Sequence, residues 1–533
     1  MRKSSYLFAL FMLAIFLPLV FYPLDAGAST TLIKNGAITY QPESNPNDDI
    51  KAIAPLKPGI NRLLDYSQAY SIDYPSHMNI DASLSQVKTS LWDDKTCIEV
   101  YRDDFSQTVH TAAAYQYYSN QFLNNRKDHQ IQENRSITIA GIKAHLLRWQ
   151  RSKLSRVAGD KNYYMSVEIP RNSKEVYTIV IKSSSPVESF LPLVKSFTFI
   201  DKKGYSQINT RFKKNDKAWN EETKAFYEQY FGPDASLHWG IFENSAPASM
   251  DYLNKLEENL DYSFEFLVLY KTFDTPFPLE ELQKAYEEQK YVELTLQTMW
   301  YNRDNSSVTY DILNGHYDYF FEDYAEKARQ FGHPILFRLN NEMNGDWCVY
   351  SSYYSSKDSE LFKEVWRYIY NIFQQKQVDN VIWVWNPHDL SFPGFMWNHY
   401  LNYFPGEEYV DIIGLTGYNT GTYHKGEIWR GFRQIYDPLY EEYCRYFDYP
   451  FMISEFACSS VGGNKALWIE EMFAQMGKYD RIKVAIWFNG VDFDLVGRAA
   501  RKYRLDESPA IIEAFQKGLQ SYSFDPKANK TRQ

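Results

Sequence analysis

The chain has 533 residues, with 57 Lys and Arg against 67 Asp and Glu, a formal net charge of −10. That length exceeds what one hydrophobic core organises and predicts at least two domains. The acidic balance excludes the general cationic surface that nucleic acid or anionic lipid would need, so no nucleic-acid partner is expected. Aromatic residues make up 17% of the chain, a composition suited to large cores and to stacking on sugar rings. Its four cysteines, Cys97, Cys348, Cys444 and Cys458, are too few for a disulfide scaffold and match no zinc spacing.

In chain order, Arg2 and Lys3 precede an apolar run over 6–22 and a small-residue site at Ala26-Gly27-Ala28. These are the three parts of a secretory signal, and with the run's length they predict either a signal peptide over 1–28 or an uncleaved anchor. The remainder is then secreted or held at the extracytoplasmic cell surface. Residues 29–65 are polar with scattered Pro and Asn and read as a leader or linker. Short alternating stretches at 71–74, 97–101, 136–139, 143–148, 163–169, 176–181 and 196–200, with helical spacing over 108–125, predict a small α/β accessory domain over 66–200. The Lys-, Asn- and Ser-rich stretch 201–216 marks a boundary, and the chain from Lys202 onward is expected to fold and act by itself.

Beyond the boundary, eight apolar, β-rich runs alternate with amphipathic helical stretches, at 237–242, 264–270, 292–299, 335–339, 381–385, 410–415, 451–453 and 482–488. Apolar strands spaced by helices imply a parallel sheet covered on both faces, and eight such units predict a (β/α)8 TIM barrel over 217–520. An open doubly wound sheet is the rival, but no glycine-rich phosphate turn follows the first run. Functional residues of such a barrel gather where its strands end. The fourth run is followed by Asn340-Asn341-Glu342-Met343-Asn344-Gly345-Asp346-Trp347, and the seventh by Ser454-Glu455-Phe456. One carboxylate at an apolar strand end is usually an ion pair. Two like charges converging on one mouth oppose each other and point to chemistry.

The segment "ILNGHYDYFFEDYAEKARQFGHPILFRLNNEMNGDW", followed in order by "VIWVWNP", "YFPGEEYVDIIGLTGYN", "PFMISEFA" and "VAIWFN", resembles glycoside hydrolase family 26, the family of many β-mannanases within a large clan of retaining barrel enzymes. The resemblance spans roughly 237–489. It implies Glu342 as general acid/base, Glu455 as nucleophile, Tyr418 as a hydrogen-bond donor to the nucleophile, and Trp347 and Trp487 as aromatics near the cleaved bond. Family members usually carry His before the acid/base. Here that position is Asn341, the residue commoner in the wider clan, which puts mannan specificity in question, because an Asn there can bond the sugar 2-hydroxyl that is axial in mannose and equatorial in glucose or xylose. The N-terminal region, through "YSIDYPS", "AGIKAH" and "VKSFTFI", resembles the small domains related to PsbP and Mog1 proteins.

Around this pair, Arg338 shares the parity of Glu342 along the fourth run and is expected to point into the barrel toward the nucleophile. Trp300 and Trp385, beyond the third run and at the end of the fifth, are candidate sugar platforms. His388 and Asp389 lie where they could line the cleft, and a Cys348–Cys458 bridge is left open. The expected reaction is retaining hydrolysis of a β-linked polysaccharide of mannan, glucan or xylan type, by a monomer, with no metal or cofactor. A non-catalytic carbohydrate-binding barrel, or a wall-associated protein docked through its N-terminal domain, are the other readings.

Overall fold

A computed structural model describes residues 29–523 except 44 and 302–306; the expected signal or anchor over 1–28 lies outside the described residues. No helix among them is long and apolar enough to cross a membrane.

The N-terminal half is a two-layer β-sandwich. One antiparallel sheet has six strands, in the order Thr198–Phe199, Tyr70–Pro75, Ile60–Asp65, Ile50–Lys57, Thr31–Lys34 and Ala37–Thr39. The other has seven, with Thr96–Asp104, Glu175–Ser183, Tyr163–Asn172 and Ile142–Gln150 at its centre. Leu63, Tyr70, Ile72, Ile98, Val100, Val167 and Ile179 fill the space between the layers. The domain therefore begins earlier than expected. The stretch 29–65, read as a leader, supplies four strands, because Asn35 and Gly36 take φ of 50° and 77° and turn Thr31–Lys34 back on Ala37–Thr39. The expected helix over 108–125 shortens to Ala112–Tyr118, capped by the Thr111 side chain and followed by a 3-10 turn at Gln121–Asn124.

Glu175–Ser183 is buried along its whole length. Its Tyr177, Ile179 and Ile181 face the sandwich core, while Val176 and Val180 pack with Phe395 and Trp397 of the C-terminal half. A strand with both faces covered has no solvent side to alternate with. The boundary stretch is pinned to both halves: Gly204 bridges Asp49, and Phe212–Lys213 pairs with Phe447–Asp448.

The C-terminal half is a closed barrel of eight parallel strands. They are β1 (His238–Phe242), β2 (Phe266–Lys271), β3 (Tyr291–Leu296), β4 (Ile335–Leu339), β5 (Val381–Trp385), β6 (Ile412–Thr416), β7 (Phe451–Phe456) and β8 (Ile482–Phe488). Side-chain alternation decides what each strand shows the lumen. Phe266, Val268, Leu336, Ile382, Val384, Ile412, Met452, Val484 and Ile486 fill the interior, and the opposite parity packs on the surrounding helices. Gly414 of β6 leaves room inside: a Cβ there would meet Asn386 Cβ at 2.6 Å and Ser454 Oγ at 2.7 Å.

Candidate active site

β4 places Arg338 on the interior parity, and the chain then leaves the strand through Asn340 and Glu342, both left-handed at φ of 49° and 54°. Non-glycine residues held there cost on the order of 1 kcal/mol or more and cluster where function over-determines the backbone. The Glu342 N–H donates to the Asn386 carbonyl at 2.7 Å, and its own carbonyl accepts from Gly345 N at 2.8 Å. Gly345 matters by its size, since a Cβ there would sit 2.5 Å from the Trp347 ring. That close approach lets the indole fold back, donating from Nε1 to Glu342 Oε2 at 3.1 Å while remaining 47% exposed at the rim.

Simple alternation from Met452 would turn Glu455 outward. The register of β7 shifts between Ile453 and Phe456 against β8, and between Leu415 and Thr416 on the β6 side, and such a bulge re-aims a side chain. Glu455 thereby accepts from two hydroxyls, Tyr418 OH at 2.9 Å and Tyr270 OH, and pairs with the Arg338 guanidinium, Nη2 at 2.9 Å. This arrangement suits an anion. Arg338 is held in place by donating to Thr295 Oγ1 at 2.8 Å and to Asn386 Oδ1 at 3.0 Å. Burial opposes its charge, but Glu293, Tyr270 and Glu455 outweigh that and hold the guanidinium pKa well above its usual value.

Burial pushes the Glu342 carboxyl up to about 7, the Glu455 charge adds to the rise, and His388, Trp347 and Arg338 oppose it. A shift from the ordinary carboxylate value to about 7 corresponds to about 3 kcal/mol favouring the protonated form. His388 Nε2 lies 3.9 Å from Glu342 Oε1, and the His388 ring stands edge-on to Trp347 at 5.1 Å. Two carboxyls at one mouth thus sit in different settings, Glu342 pushed up by burial beside an indole and Glu455 under two tyrosine hydroxyls and a guanidinium.

Of the residues singled out in the sequence, Glu342, Glu455, Arg338, Tyr418, Trp347 and Asn341 come together. Asn341 is buried, with Oδ1 accepting from Gln297 Nε2 at 3.0 Å. Two tryptophans do not join them. Trp487 and Trp385 have the outward parity of β8 and β5 and are fully buried among helix-facing aromatics, Trp487 against Phe456, Trp468 and Phe515, and Trp385 against Phe404 and Phe447. Phe488, one residue on, has the interior parity and packs edge-on to Tyr418 at 6.0 Å. Trp300 packs on Phe273 and donates to Tyr317 OH at 3.0 Å, half-buried in a cluster beyond β2 and β3. Asp389 pairs with Arg430 Nη1 at 2.6 Å, and Arg430 also donates to the Tyr418 carbonyl at 2.8 Å. All four cysteines are free, so Cys348 and Cys458 form no bridge.

Sequence reasoning missed Tyr270, Asn386 and Glu293. Parity along β2 from Phe266 and Val268 would have found Tyr270. Glu293 carries its own signal, a charge inside the apolar run of β3. It is fully buried, and Arg338 Nε at 3.6 Å is its ion-pair partner. Burial raises its carboxyl to about 7 despite Arg338. Among the described residues no group of three or more His, Cys, Asp or Glu side chains is arranged to hold a metal.

This arrangement of strand ends bears comparison with known proteins. Residues 273–458 match the model of Glycosyl hydrolase family 26. Endoglucanase H of Acetivibrio thermocellus is 31% identical over 223 residues, 41% of this chain and 24% of that protein. A mannan endo-1,4-beta-mannosidase of Bacillus subtilis is 32% identical over 125 residues, 22% of this chain and 33% of that one. The chain thus spans a quarter to a third of the length of these relatives. Among solved structures, the catalytic domain of a family 26 endo-beta-1,4-mannanase from a Bacillus species superposes with a TM-score of 0.44 at 15% identity, over 58% of this chain and 92% of that domain. A Cellulomonas fimi endo-beta-1,4-mannanase double mutant gives 0.43 at 16% identity, over 59% and 77%.

Proposed function

We propose that the chain is an exported glycoside hydrolase that cleaves a β-linked polysaccharide internally with retention, Glu455 acting as nucleophile and Glu342 as acid/base. The observation that carries this reading is the opposed setting of the two carboxyls, Glu342 raised to about 7 and Glu455 under Tyr418, Tyr270 and Arg338. In the first step a Glu455 oxygen bonds the anomeric carbon as the glycosidic C–O bond breaks, and the Glu342 proton passes to the leaving oxygen. Esterification removes the Glu455 charge, one cause of the raised Glu342 pKa. Glu342, now a carboxylate, takes a proton from water as that water attacks the anomeric carbon, and Glu455 leaves as a carboxylate. Trp347, a quarter-turn from His388 at the open rim, is placed to pack on a sugar ring beside the acid.

The relatives named above act on glucan and on mannan, and Asn341 bears on which class this chain takes. With Oδ1 committed to Gln297, the Asn341 amide has hydrogens left to donate to a 2-hydroxyl. We infer that equatorial 2-hydroxyl substrates, glucan or xylan, are accepted at least as well as mannan. Product analysis on mannan, mixed-linkage glucan, xylan and the producing cell's own polysaccharide tests both points. Oligosaccharides from glucan or xylan are expected. Exclusive cleavage of mannan would overturn the specificity, and no cleavage of any β-glycan would overturn the activity.

A further inference from the structure

The loop that leaves β4 carries Asn341, Glu342 and Trp347 at its start and Ser356, Lys357 and Asp358 at its end, where the helix Ser359–Gln375 begins. Ser356 and Lys357 are consecutive non-glycine residues in the left-handed region, at φ of 62° and 55°. Such a corner persists only where its surroundings fix it, and here the surroundings belong largely to the N-terminal sandwich. Trp149 Nε1 donates to Ser356 Oγ at 3.1 Å. Lys357 Nζ donates to Ser166 Oγ at 3.1 Å and pairs with Glu168 at 3.3 Å. Asp358 accepts from Lys182 Nζ at 2.8 Å and Tyr164 OH at 2.9 Å, while capping the Glu360 N–H of its own helix. All three corner residues are buried.

A second strut reaches the same loop. Phe395 and Trp397, beyond β5, pack among Tyr101, Phe105, Tyr115, Val176 and Val180 of the sandwich, and Met396 N donates to Asp103 Oδ1 at 2.8 Å. Their segment holds the catalytic loop through Asn344, two residues from Glu342, whose carbonyl accepts from Phe392 N at 2.8 Å and Asn398 Nδ2 at 2.8 Å. The loop bearing the acid is therefore gripped at both ends by residues that answer to the N-terminal half. Breaking a buried pair exposes one charge to an apolar setting and is costly, so the grip is rigid.

We propose that the N-terminal sandwich is a working part of the catalytic site, with Lys182, Tyr164 and Trp149 as positioning residues that fix the Ser356–Asp358 corner and thereby the placement of Glu342. The chain from Lys202 onward would then fold without its acid in register, contrary to the independence the composition break suggests. This inference rests on Glu342 being the acid/base. It also gives the accessory half a role other than docking.

The test uses the full chain with Lys182→Met and Tyr164→Phe, and with Lys51→Met as a control. Lys51 is equally buried, but it pairs with Asp49 and Asp65 in the six-stranded layer. Misplacing a catalytic group by about 1 Å costs on the order of 100-fold. Lys182→Met should therefore lower kcat on the glycan by up to ~100-fold with KM little changed. The burst of phenol from an aryl glycoside whose leaving group needs no proton should fall by less than about 3-fold, because the nucleophile is untouched. Tyr164→Phe should move both in the same direction by less. Amide exchange over 340–358 should rise in both variants, whereas Lys51→Met should lower Tm without changing the ratio of the two rates or that exchange. Equal losses on both substrates, tracking Tm as in the control, or unchanged exchange over 340–358, would overturn the proposal. Should the unaltered protein cleave no glycan at all, the functional reading fails, and the exchange measurement still decides whether the sandwich holds the loop.

Discussion

Two buried charge clusters lie within the reach of one loop, and burial has opposite consequences in them. At the interface, Glu99, Glu168 and Asp358 meet Lys88, Lys182 and Lys357. Glu99 and Glu168 are held below the ordinary carboxylate value; burial is the largest single effect and pulls upward, but Lys182 and Lys88 outweigh it at Glu99, and Lys357, His145 and Asn120 together outweigh it at Glu168. At the barrel mouth, Glu293 and Glu455 share Arg338 while Glu342 faces His388, and burial wins: Glu293 and Glu342 both rise to about 7. The same protein interior thus holds Glu99 and Glu168 low where cations surround them and pushes Glu293 and Glu342 up where carboxyls outnumber the cations. A matched cluster builds structure. An unmatched one stores a proton at neutral pH, which is what a general acid needs.

The largest effect that sharpens this contrast is removal of the Glu455 carboxylate, the proposed nucleophile. Glu455→Ala should lower turnover on every β-glycan by on the order of 10⁴-fold or more, as losses of a covalent catalyst do, while the interface cluster is left intact. Glu342→Ala should cost ~10²–10⁴-fold on the glycan and spare the first step with an activated leaving group. In the unaltered protein kcat/KM should fall tenfold per pH unit above about pH 7, because rising pH removes the Glu342 proton, and Glu342→Ala should lack that limb for activated substrates. An alkaline limb that persists in the variant would assign it to another group.

A smaller effect concerns Glu293. Its folded pKa, about 7, lies above the ordinary value of 4.5. Below pH 4.5 both states hold the proton and the group is neutral to stability. Between 4.5 and 7 the unfolded chain ionises first, so stability falls as pH rises, by on the order of 3 kcal/mol once both states are ionised. Glu293→Gln should flatten this stretch of the stability curve, read from urea unfolding at pH 5 and pH 8. An unchanged slope would show that Glu293 ionises without penalty. Smallest is Trp347→Phe. Loss of the indole donor removes one influence that lowers the Glu342 pKa, so the alkaline limb should move to slightly higher pH, and a shift to lower pH would contradict the contact.

Much of the barrel and its two carboxyls was legible because both rest on local patterns. β4, β5 and β8 end where their apolar runs end, and a Glu at an apolar strand end is visible in any reading. What failed was parity. Trp385 and Trp487 stand beside the right strand ends but on the helix-facing side, and counting alternate residues from Ile382 and Val484 would have assigned both to the core and Phe488 to the lumen. Glu455 shows the reverse failure, since only the bulge in β7 brings it inward, and no spacing in Phe451–Phe456 announces a bulge. The N-terminal strands were missed although Asn35-Gly36 is a strong hairpin signal, because the surrounding polar residues resemble a linker. The interface was illegible for another reason: Lys182 and Asp358 are 176 positions apart, and nothing local marks them as partners.

The division of roles between Glu342 and Glu455 is tested most directly by azide rescue. Glu342→Ala is given an activated aryl β-glycoside of the preferred sugar, with and without azide, and the product is examined by NMR. The variant should accumulate a glycosyl ester on Glu455, and azide, a small anion that needs no general base, should release it as the β-glycosyl azide. Rescue confined instead to Glu455→Ala, with an α-glycosyl azide as the product, would contradict the assignment and exchange the two roles.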